Sequence, residues 1–383
     1  MLRIVQIVSN LSLGGAQRLL LDICKYLKSK NDVDVRIITI DSGDFVPLFR
    51  EAGIDVTDLK RKGLVNPAIF RDLISDLRQH PADIVHTHLQ KADFYGRLSA
   101  AVAGTKSICT TYHGYSTGHK TASDESPGIF DKLDDLVIRL SGSRLIAVSE
   151  TVKNFLVNRS EFNKYRVDVI YNGIDTVEMS KMSMPDEEAL SMRQRFKAGR
   201  DTRIILISGR IEPAKGQLFF LKAIESLFAE FSQMNVVILG RGSDEERIIE
   251  FTKSNGLDER IFLPGFVSNP KPFYEISDIV AVPSLWEGFG LAAIEGMIMG
   301  KIAIVTETGG LKEVVRDGVT GFTFRCGDEE DLRSKVRKVL SEFDQLNEIR
   351  QRAVSEVKDR FDITASAEAY YQFYKRIPGN SES

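Results

Sequence analysis

Short apolar runs typical of buried β-strands alternate with longer runs of helical periodicity along this chain of 383 residues, and the alternation occurs twice. The first series starts with a strand pattern at residues 3–8, and the second starts with a strand pattern at residues 204–208. Strands that alternate with helices favour a parallel sheet covered by helices on both faces. Because a chain of this length seldom builds a single core, the sequence predicts an α/β protein with two such domains.

The boundary between the domains is predicted from a break in this alternation. We assign residues 1–170 to the first domain. Residues 171–200 form the linker and the start of the second domain, where the polar, irregular sequence predicts one short helix. The second domain covers residues 201–362. A final helix and a loose tail occupy residues 363–383, and the aromatic residues of this helix suggest that it crosses back to the first domain.

Composition and charge exclude several classes of function. The net charge of −3 argues against a nucleic-acid partner, and 43% hydrophobic with 27% charged residues is typical of a soluble globular protein. The three cysteines lie far apart, so they suggest neither a metal site nor a disulfide framework and favour a reducing, cytoplasmic compartment. No apolar run reaches the roughly 18 residues of a membrane span. Any membrane contact is therefore expected to be peripheral, through the first domain at the inner face of the membrane.

The stretch at residues 283–310, PSLWEGFGLAAIEGMIMGKIAIVTETGG, predicts a strand end, a glycine-rich loop, a helix and a further strand. The helix is expected to begin near Leu291 and to end at Gly300. A glycine-rich turn before a helix directs free N–H groups and the positive end of the helix dipole at the space in front. The loop of Gly288, Phe289 and Gly290 is therefore a predicted anion site.

Two carboxylates flank this anion site. Glu287 precedes the helix, and Glu295 lies about one turn inside it. A bound phosphate would repel both, so they are better suited to sugar hydroxyls at the two ends of a diphosphate. The alternative is that Glu287 is a helix-terminal charge and Glu295 an ordinary surface residue. The Gly-x-Gly sequence between them argues against this alternative.

A second cluster of charge follows the strand at residues 204–208, in the sequence GRIEPAKG. Arg210 and Lys215 flank a proline turn there, directly after Gly209. Ligands of parallel α/β sheets collect at the carboxyl ends of strands. Two cations at such a position suit a diphosphate and would neutralise the charge that grows on a departing nucleotide. The alternative is a pair of solvated surface cations.

Other strand ends offer weaker signals. Two facing domains would create a cleft, and His113 follows a strand at residues 107–111 on the predicted cleft side. The loop before Gly15 can approach a phosphate or an acceptor, although a plain glycine turn fits equally well. Arg241 lies in a Gly-x-Gly turn, and Val267 lies in a turn that can hold a base edge.

His86 and His88 alternate along one predicted strand and therefore point to the same face. No third residue has the spacing of a metal ligand. We interpret the two histidines as structural or cleft-lining side chains.

Taken together, the segments SGRIEPAKG and PSLWEGFGLAAIEGMIMGKIAIVTETGGLKEVVRDGVTGF resemble the large family of retaining glycosyltransferases called family 4 (GT-B fold, glycosyl transferases group 1). The E-x7-E spacing is met by Glu287 and Glu295. GGAQR, IAVSE and YNGID also resemble landmarks of that family, in the expected order, so the resemblance covers almost the whole chain. It implies two Rossmann-like domains that face each other across a cleft.

The resemblance also implies a function. It implies transfer of a sugar from a nucleotide-diphosphate sugar, with uridine as the base, to a glycan, lipid-linked or small-molecule acceptor, as in polysaccharide biosynthesis. No metal or other cofactor is implied, because two cations and a helix end can replace the metal. Retention of configuration is implied through a front-face path, in which the leaving phosphate helps to deprotonate the acceptor.

The matched positions imply a role for each candidate residue. The first domain would contribute His113 and Gly15, which face the donor. In the second domain, Arg210 and Lys215 would bind the diphosphate, and Glu295 would bind the ribose hydroxyls. Glu287 would contact the donor sugar, and Val267 would contact the base. The phosphate or the sugar would be bound by the amides of Phe289, Gly290 and Leu291, and further donor contacts would come from Gly209, Arg241 and Gly288.

Two other functions remain open at this point. A nucleotide-sugar 2-epimerase of the same architecture would interconvert sugars without an acceptor and would have a cleft richer in acid and base groups. A non-catalytic nucleotide-sugar-binding subunit would lack one or more of Arg210, Lys215, Glu287 and Glu295, all of which are present.

Overall fold

The computed structural model describes residues 1–12, 14–63, 65–114, 129–158, 166–181 and 184–377. The chain divides into two compact units. The first unit is Met1–Gly173 together with the carboxyl-terminal segment from Ile363, and the second unit is Ile174–Asp362.

The first unit is built on a parallel sheet, in which seven strands lie within the described residues in the order β3-β2-β1-β4-β5-β6-β7. These strands are β1 (Leu2–Asn10), β2 (Val33–Asp41), β3 (Asp55–Asp58), β4 (Ile84–His88), β5 (Ser107–Tyr112), β6 (Arg144–Ala147) and β7 (Val167–Val169). The described helices between them are α1 (Gly15–Lys28), α2 (Val46–Glu51), α3 (Pro67–Gln79), α4 (Gln90–Ala103), α5 (Ile129–Ser141) and α6 (Glu150–Asn158).

The second unit is built on another parallel sheet, with six described strands in the order β10-β9-β8-β11-β12-β13. They are β8 (Arg203–Ser208), β9 (Met234–Leu239), β10 (Ile261–Gly265), β11 (Ile279–Val282), β12 (Ile302–Thr306) and β13 (Phe322–Phe324). The described α-helices are α7 (Thr176–Ser180), α8 (Asp186–Gln194), α9 (Gln217–Ile224), α10 (Leu227–Glu230), α11 (Glu245–Ser254), α12 (Lys271–Ile276), α13 (Leu291–Ile298), α14 (Leu311–Val314), α15 (Glu329–Ser341) and α16 (Asn347–Arg360), followed by α17 (Ile363–Arg376) of the first unit. The predicted α/β fold with two parallel sheets is confirmed.

The central strands are apolar almost throughout because helices cover both faces of each sheet. In the first unit, β1 contributes Ile4 and Val8 to a core on one face and Val5 and Ile7 to a core on the other. The first of these cores is closed by α1 and α17, and the second by α3 and α4. Alternate side chains of one strand thus build two separate cores.

The last helix, α17, belongs to the first unit, as predicted. Its side chains Tyr370, Phe373 and Tyr374 are at most 2% exposed and lie in the core that also holds α1. Burial of each large side chain contributes roughly 1.5–3 kcal/mol. The first unit is therefore completed by residues that follow the second unit in the chain.

The second unit contains more helices than the sequence predicted. The segment 176–200 contains two described helices, α7 and α8, rather than one. No residue of α8 is buried, so its sequence carries no apolar periodicity. Residues 217–230 form two helices, α9 and α10, with a break between them. No helix or strand was predicted for residues 311–362, where Asp328 is the N-cap of α15 and its carboxylate accepts a hydrogen bond from the Asp331 amide.

Candidate functional site

The order of strands in the second sheet determines which loops meet. β8 and β11 lie side by side at the centre, and the strands that follow each of them in sequence lie on opposite sides. Such a switch point leaves a crevice at the carboxyl ends of the two strands. The loops that leave β8 and β11 contact each other there, because the Leu285 amide donates to the Ala214 carbonyl at 2.9 Å.

Two predicted site residues meet at this point. The Lys215 ammonium donates to a Glu287 carboxylate oxygen at 2.7 Å. The Lys215 side chain is 25% exposed and that of Glu287 is 18% exposed, so both remain accessible to a small ligand. The Ser284 hydroxyl donates to the same carboxylate oxygen at 3.3 Å. A cation and an anion are therefore held side by side at the switch point.

Arg210 is placed differently from Lys215. Its side chain is 75% exposed and forms an ion pair with Glu212 at 3.1 Å. Gly209, directly before Arg210, lies close to Gly240. A Cβ atom on Gly240 would overlap the Gly209 carbonyl oxygen. The predicted diphosphate cations thus include one that is packed against Glu287 and one that extends into solvent.

The glycine-rich loop before α13 is held by a second pair of glycines. Gly290 has φ +102°, in the region that favours glycine, and Leu291 then begins the helix as predicted. Gly310 donates its amide to the Glu287 carbonyl at 3.0 Å. A Cβ atom on Gly309 or Gly310 would overlap the carbonyl oxygen of Glu287 or Gly288. Sequence reasoning gave Gly309 and Gly310 no role, although the consecutive glycines were the available signal.

The ring of Phe289 is buried and lies against Phe361 with 5.4 Å between ring centroids. Any contact of this residue with a ligand would therefore come from its backbone. Amides in the first turn of a helix have no acceptor within the helix. The start of α13 is consequently a place where backbone N–H groups can serve a ligand.

Glu295 is held by a residue that sequence reasoning missed. The Tyr274 hydroxyl donates to a Glu295 carboxylate oxygen at 2.6 Å. Tyr274 is fully buried. Burial, with the neighbouring Glu295 charge, raises the pKa of the Tyr274 phenol well above its ordinary value. The phenol is therefore a permanent donor, but a single tyrosine in a short helix has the pattern of a core residue and gave no signal.

Arg241 lies in a turn that is organised by backbone packing. A Cβ atom on Gly242 would overlap the Ile211 carbonyl, so the Gly-x-Gly turn serves close contact with the neighbouring loop. Arg241 is 67% exposed, and its guanidinium pairs with Glu245 at 2.6 Å. Val267 is half-buried.

The candidates of the first unit lie at two strand ends. Gly15 is exposed and begins α1. His113 follows β5, and its Nε2 lies 3.2 Å from Nδ1 of His88. Burial lowers the pKa of His113 to about 4, so the ring is neutral at physiological pH. His86 and His88 are buried and use their ring nitrogens in hydrogen bonds with protein groups.

Within the described ranges, no group of three or more His, Cys, Asp or Glu side chains is arranged to hold a metal ion. Over the same part of the chain, no helix is long and apolar enough to cross a membrane. The expectation that no metal is needed stays a prediction.

Comparison with known families assigns the chain. The family described as Glycosyltransferase Family 4 matches residues 13–178, and the family described as Glycosyl transferases group 1 matches residues 190–356. The chain belongs to the family 4, group 1 glycosyltransferases. The recognition made from sequence motifs is confirmed, and so is the GT-B fold class.

Two curated relatives illustrate the range of this glycosyltransferase family. The chain is 23% identical over 377 residues to UDP-Gal:alpha-D-GlcNAc-diphosphoundecaprenol alpha-1,3-galactosyltransferase of Escherichia coli, with 94% of each chain covered. It is 26% identical over 379 residues to D-inositol 3-phosphate glycosyltransferase of Nocardia farcinica, with 90% of this chain and 81% of the relative covered.

A solved structure of the same fold is that of Anabaena HepE in complex with UDP and glucose. It superimposes with a TM-score of 0.81 at 21% sequence identity and covers 98% of this chain and 100% of HepE.

Proposed function

We propose that this protein is a metal-independent, retaining glycosyltransferase that transfers a hexose from a UDP-sugar to a hydroxyl of a glycan, lipid-linked or small-molecule acceptor. The observation that carries the proposal is the pairing of Lys215 with Glu287 at the switch point of the second sheet. A nucleotide-sugar donor needs a cation for its diphosphate and an acceptor group for its sugar hydroxyls. Lys215 supplies the cation and Glu287 supplies the acceptor group, and the two are directly hydrogen-bonded to each other.

The ammonium of Lys215 suits this task because it has three donors. One donor can remain on Glu287 while the others turn to phosphate oxygens. Glu287, fixed by Lys215 and Ser284, then accepts from a hydroxyl of the donor sugar. The amides at the start of α13 add fixed positive dipoles on the phosphate side.

In the proposed reaction, the bond between the anomeric carbon of the sugar and the β-phosphate oxygen breaks. The acceptor hydroxyl forms its new bond to the anomeric carbon on the same face. Its proton passes to the departing phosphate oxygen, so UDP leaves with that proton and no protein nucleophile takes part. Lys215 and Arg210 stabilise the negative charge that grows on the leaving group, which is the main electrostatic demand of this step.

UDP is proposed as the carrier because of the relatives. The Escherichia coli relative is named for a UDP-galactose donor, and the Anabaena structure contains UDP with glucose. The acceptors in the two curated names, a diphosphoundecaprenol-linked sugar and an inositol phosphate, both carry phosphate. A lipid-linked acceptor would bring the protein to the surface of a membrane.

The proposal is tested first by donor binding. Thermal unfolding of the purified protein with UDP-, GDP- and ADP-sugars should show a shift for a UDP-sugar, and ¹H NMR of the reaction with that donor should show UDP release. In the product glycoside, the anomeric coupling constant should match that of the donor. Inversion of the anomeric centre would contradict the retaining mechanism.

The same experiment separates the other two functions. A 2-epimerase would convert the donor sugar to its 2-epimer without an acceptor. A non-catalytic subunit would give a thermal shift with no release of UDP under any condition. Either result would refute the transferase proposal.

A further inference from the structure

A chain of hydrogen bonds runs through the interior of the first unit from His113 to α17. His113 Nε2 lies 3.2 Å from His88 Nδ1, and His88 Nε2 lies 2.8 Å from the Gln6 side-chain oxygen. The Gln6 amide nitrogen donates to the Tyr374 hydroxyl at 3.0 Å. That hydroxyl lies 2.6 Å from His86 Nδ1, and His86 Nε2 lies 2.8 Å from the Thr111 hydroxyl.

Each link constrains the proton in the next. Because the Gln6 amide nitrogen donates to Tyr374, the Tyr374 hydroxyl uses its own proton on His86 Nδ1. The Gln6 oxygen can only accept, so His88 must carry its proton on Nε2. A neutral His88 then accepts at Nδ1, and His113 must donate from Nε2.

The distances favour this assignment of donors and acceptors over the one in which each donor and acceptor is exchanged. If the Gln6 amide were turned round, Tyr374 would donate to Gln6 and His86 would donate an N–H to the phenol oxygen. Hydrogen bonds that a hydroxyl donates to an oxygen are typically about 2.7–2.8 Å long, and those that an N–H group donates to an oxygen about 2.9–3.0 Å. The observed 2.6 Å between the Tyr374 hydroxyl and His86 Nδ1 is nearer to the shorter, hydroxyl-donated class.

The surroundings keep the imidazoles neutral, as this sequence of bonds requires. His86 is completely buried and His88 is 4% exposed. Burial lowers the pKa of His86 to about 3 and that of His88 well below its ordinary value.

We propose that Gln6 and Tyr374 are positioning residues, which hold His113 as the Nε2–H tautomer and so present its Nδ1 as a hydrogen-bond acceptor to a substrate hydroxyl. The tautomer is a property of the ligand-free protein, whereas its use on a sugar hydroxyl rests on the proposed transferase function. The helix α17 takes part because it supplies Tyr374. A function for the carboxyl-terminal helix beyond covering the core is thereby assigned.

The tautomer is measured directly by long-range ¹H–¹⁵N NMR on the full-length protein labelled at its histidines, of which there are five. The His113 signals are identified by their loss in His113→Gln. We expect Nε2 to appear protonated and Nδ1 to appear as a bare acceptor nitrogen. A protonated Nδ1 would overturn the proposal, whether or not the protein proves to be a transferase.

The role of Tyr374 is tested with a matched pair of variants on the same helix. Tyr374→Phe removes the hydroxyl that joins Gln6 to His86. Tyr371→Phe removes a hydroxyl that donates to Asp32, at 3.0 and 3.1 Å from its two oxygens, away from the chain of bonds. We expect Tyr374→Phe to populate both tautomers of His113 and to lower kcat/KM for the donor about tenfold. Tyr371→Phe should change neither.

A second variant keeps the test decisive if Tyr374→Phe does not fold. Gln6→Met retains the shape of the side chain but cannot accept from His88. It should release the His113 tautomer and lower kcat/KM, with the circular dichroism spectrum unchanged. If a folded variant of either kind keeps the Nε2–H tautomer, Gln6 and Tyr374 do not position His113. If the tautomer is released and kcat/KM is unaffected, the use of Nδ1 on substrate is refuted.

Discussion

At the scale of single residues, the contact between Lys215 and Glu287 joins two positions that lie 72 apart in the chain. The pair is only partly exposed, so the ammonium and the carboxylate interact through less water than two surface charges would. Each holds the other in place before a ligand arrives. Preorganised charge of this kind is the largest contribution in many enzymes that stabilise a leaving group.

Replacement of the lysine tests this role. Lys215→Ala should lower kcat/KM by roughly 10²–10³-fold, because one fixed positive charge on the leaving diphosphate is lost. The measurement is initial-rate kinetics of UDP release. Lys222→Ala, which removes an exposed charge from α9, is the matched control and should keep the wild-type rate. Equal rates for the two variants would contradict the assignment.

The hydroxyl of Tyr274 provides a second residue-scale prediction. Tyr274→Phe leaves the ring in the core but removes the hydrogen bond to Glu295, and bonds to charged groups contribute roughly 1.5–3 kcal/mol. If Glu295 binds the ribose, KM for the donor should rise about tenfold with little change in kcat.

A 2′-deoxyribose analogue of the donor is the control for Tyr274. This analogue lacks one hydroxyl that Glu295 would accept from, so the substitution should matter less with it. An identical penalty with both donors would mean that Tyr274 does not act through the ribose.

At the scale of elements, the loops after β8 and β11 fit together because a glycine lies where they meet. Gly216 has φ +69°, and a Cβ atom there would overlap the Pro283 carbonyl oxygen. Gly300 has nearly the same φ, +70°, but lies in open space. The two positions therefore separate backbone strain from steric contact.

Alanine at these glycines gives a paired prediction. Gly300→Ala should cost only the strain of the left-handed conformation, about 1–2 kcal/mol. Gly216→Ala should lower the free energy of unfolding further, by about 1–3 kcal/mol for the overpacking, and should reduce activity by displacing Lys215 from Glu287. Urea unfolding of both variants is the measurement. Equal urea midpoints for the two variants would show that the loops after β8 and β11 move apart with no loss of stability.

At the scale of the whole molecule, the chain closes its first unit with its last helix. The second unit, by contrast, is one continuous segment, Ile174–Asp362, that holds Arg210, Lys215, Glu287 and Glu295. A continuous unit with its own core can fold alone. This asymmetry leads to a prediction about fragments.

The fragment of residues 174–362 should fold independently and bind UDP, because its core is complete and it holds the residues predicted to bind the diphosphate, the ribose and the base. The fragment of residues 1–173 should not fold stably, since it lacks the buried aromatic side chains of α17. Circular dichroism and calorimetric titration with UDP check both statements. A stably folded fragment of residues 1–173 would show that α17 is dispensable.

Much of the fold and part of the candidate site could be predicted from the sequence. Apolar strands buried on both faces have an unmistakable pattern, and Leu291 after Gly290 marked the start of a helix. One short helix was predicted within residues 171–200, where two are present, and α8 has no buried residue, so no apolar face marks it. Tyr274 was missed because its partner Glu295 lies 21 residues away and the pattern of an isolated tyrosine does not distinguish a core residue from a positioning one.

The sequence by itself determined most of the strands of the two sheets, the family and the residue types available for chemistry, since these depend on local periodicity and on motifs that are continuous in the chain. Only the tertiary structure decided that Lys215 meets Glu287, that Tyr274 holds Glu295, and that Tyr374 of the last helix is joined through Gln6 to the histidines of the first sheet. The physical reason is that strand order and helix docking arise from packing between segments far apart in sequence, and no local pattern encodes which hydrogen-bonding groups that packing brings together.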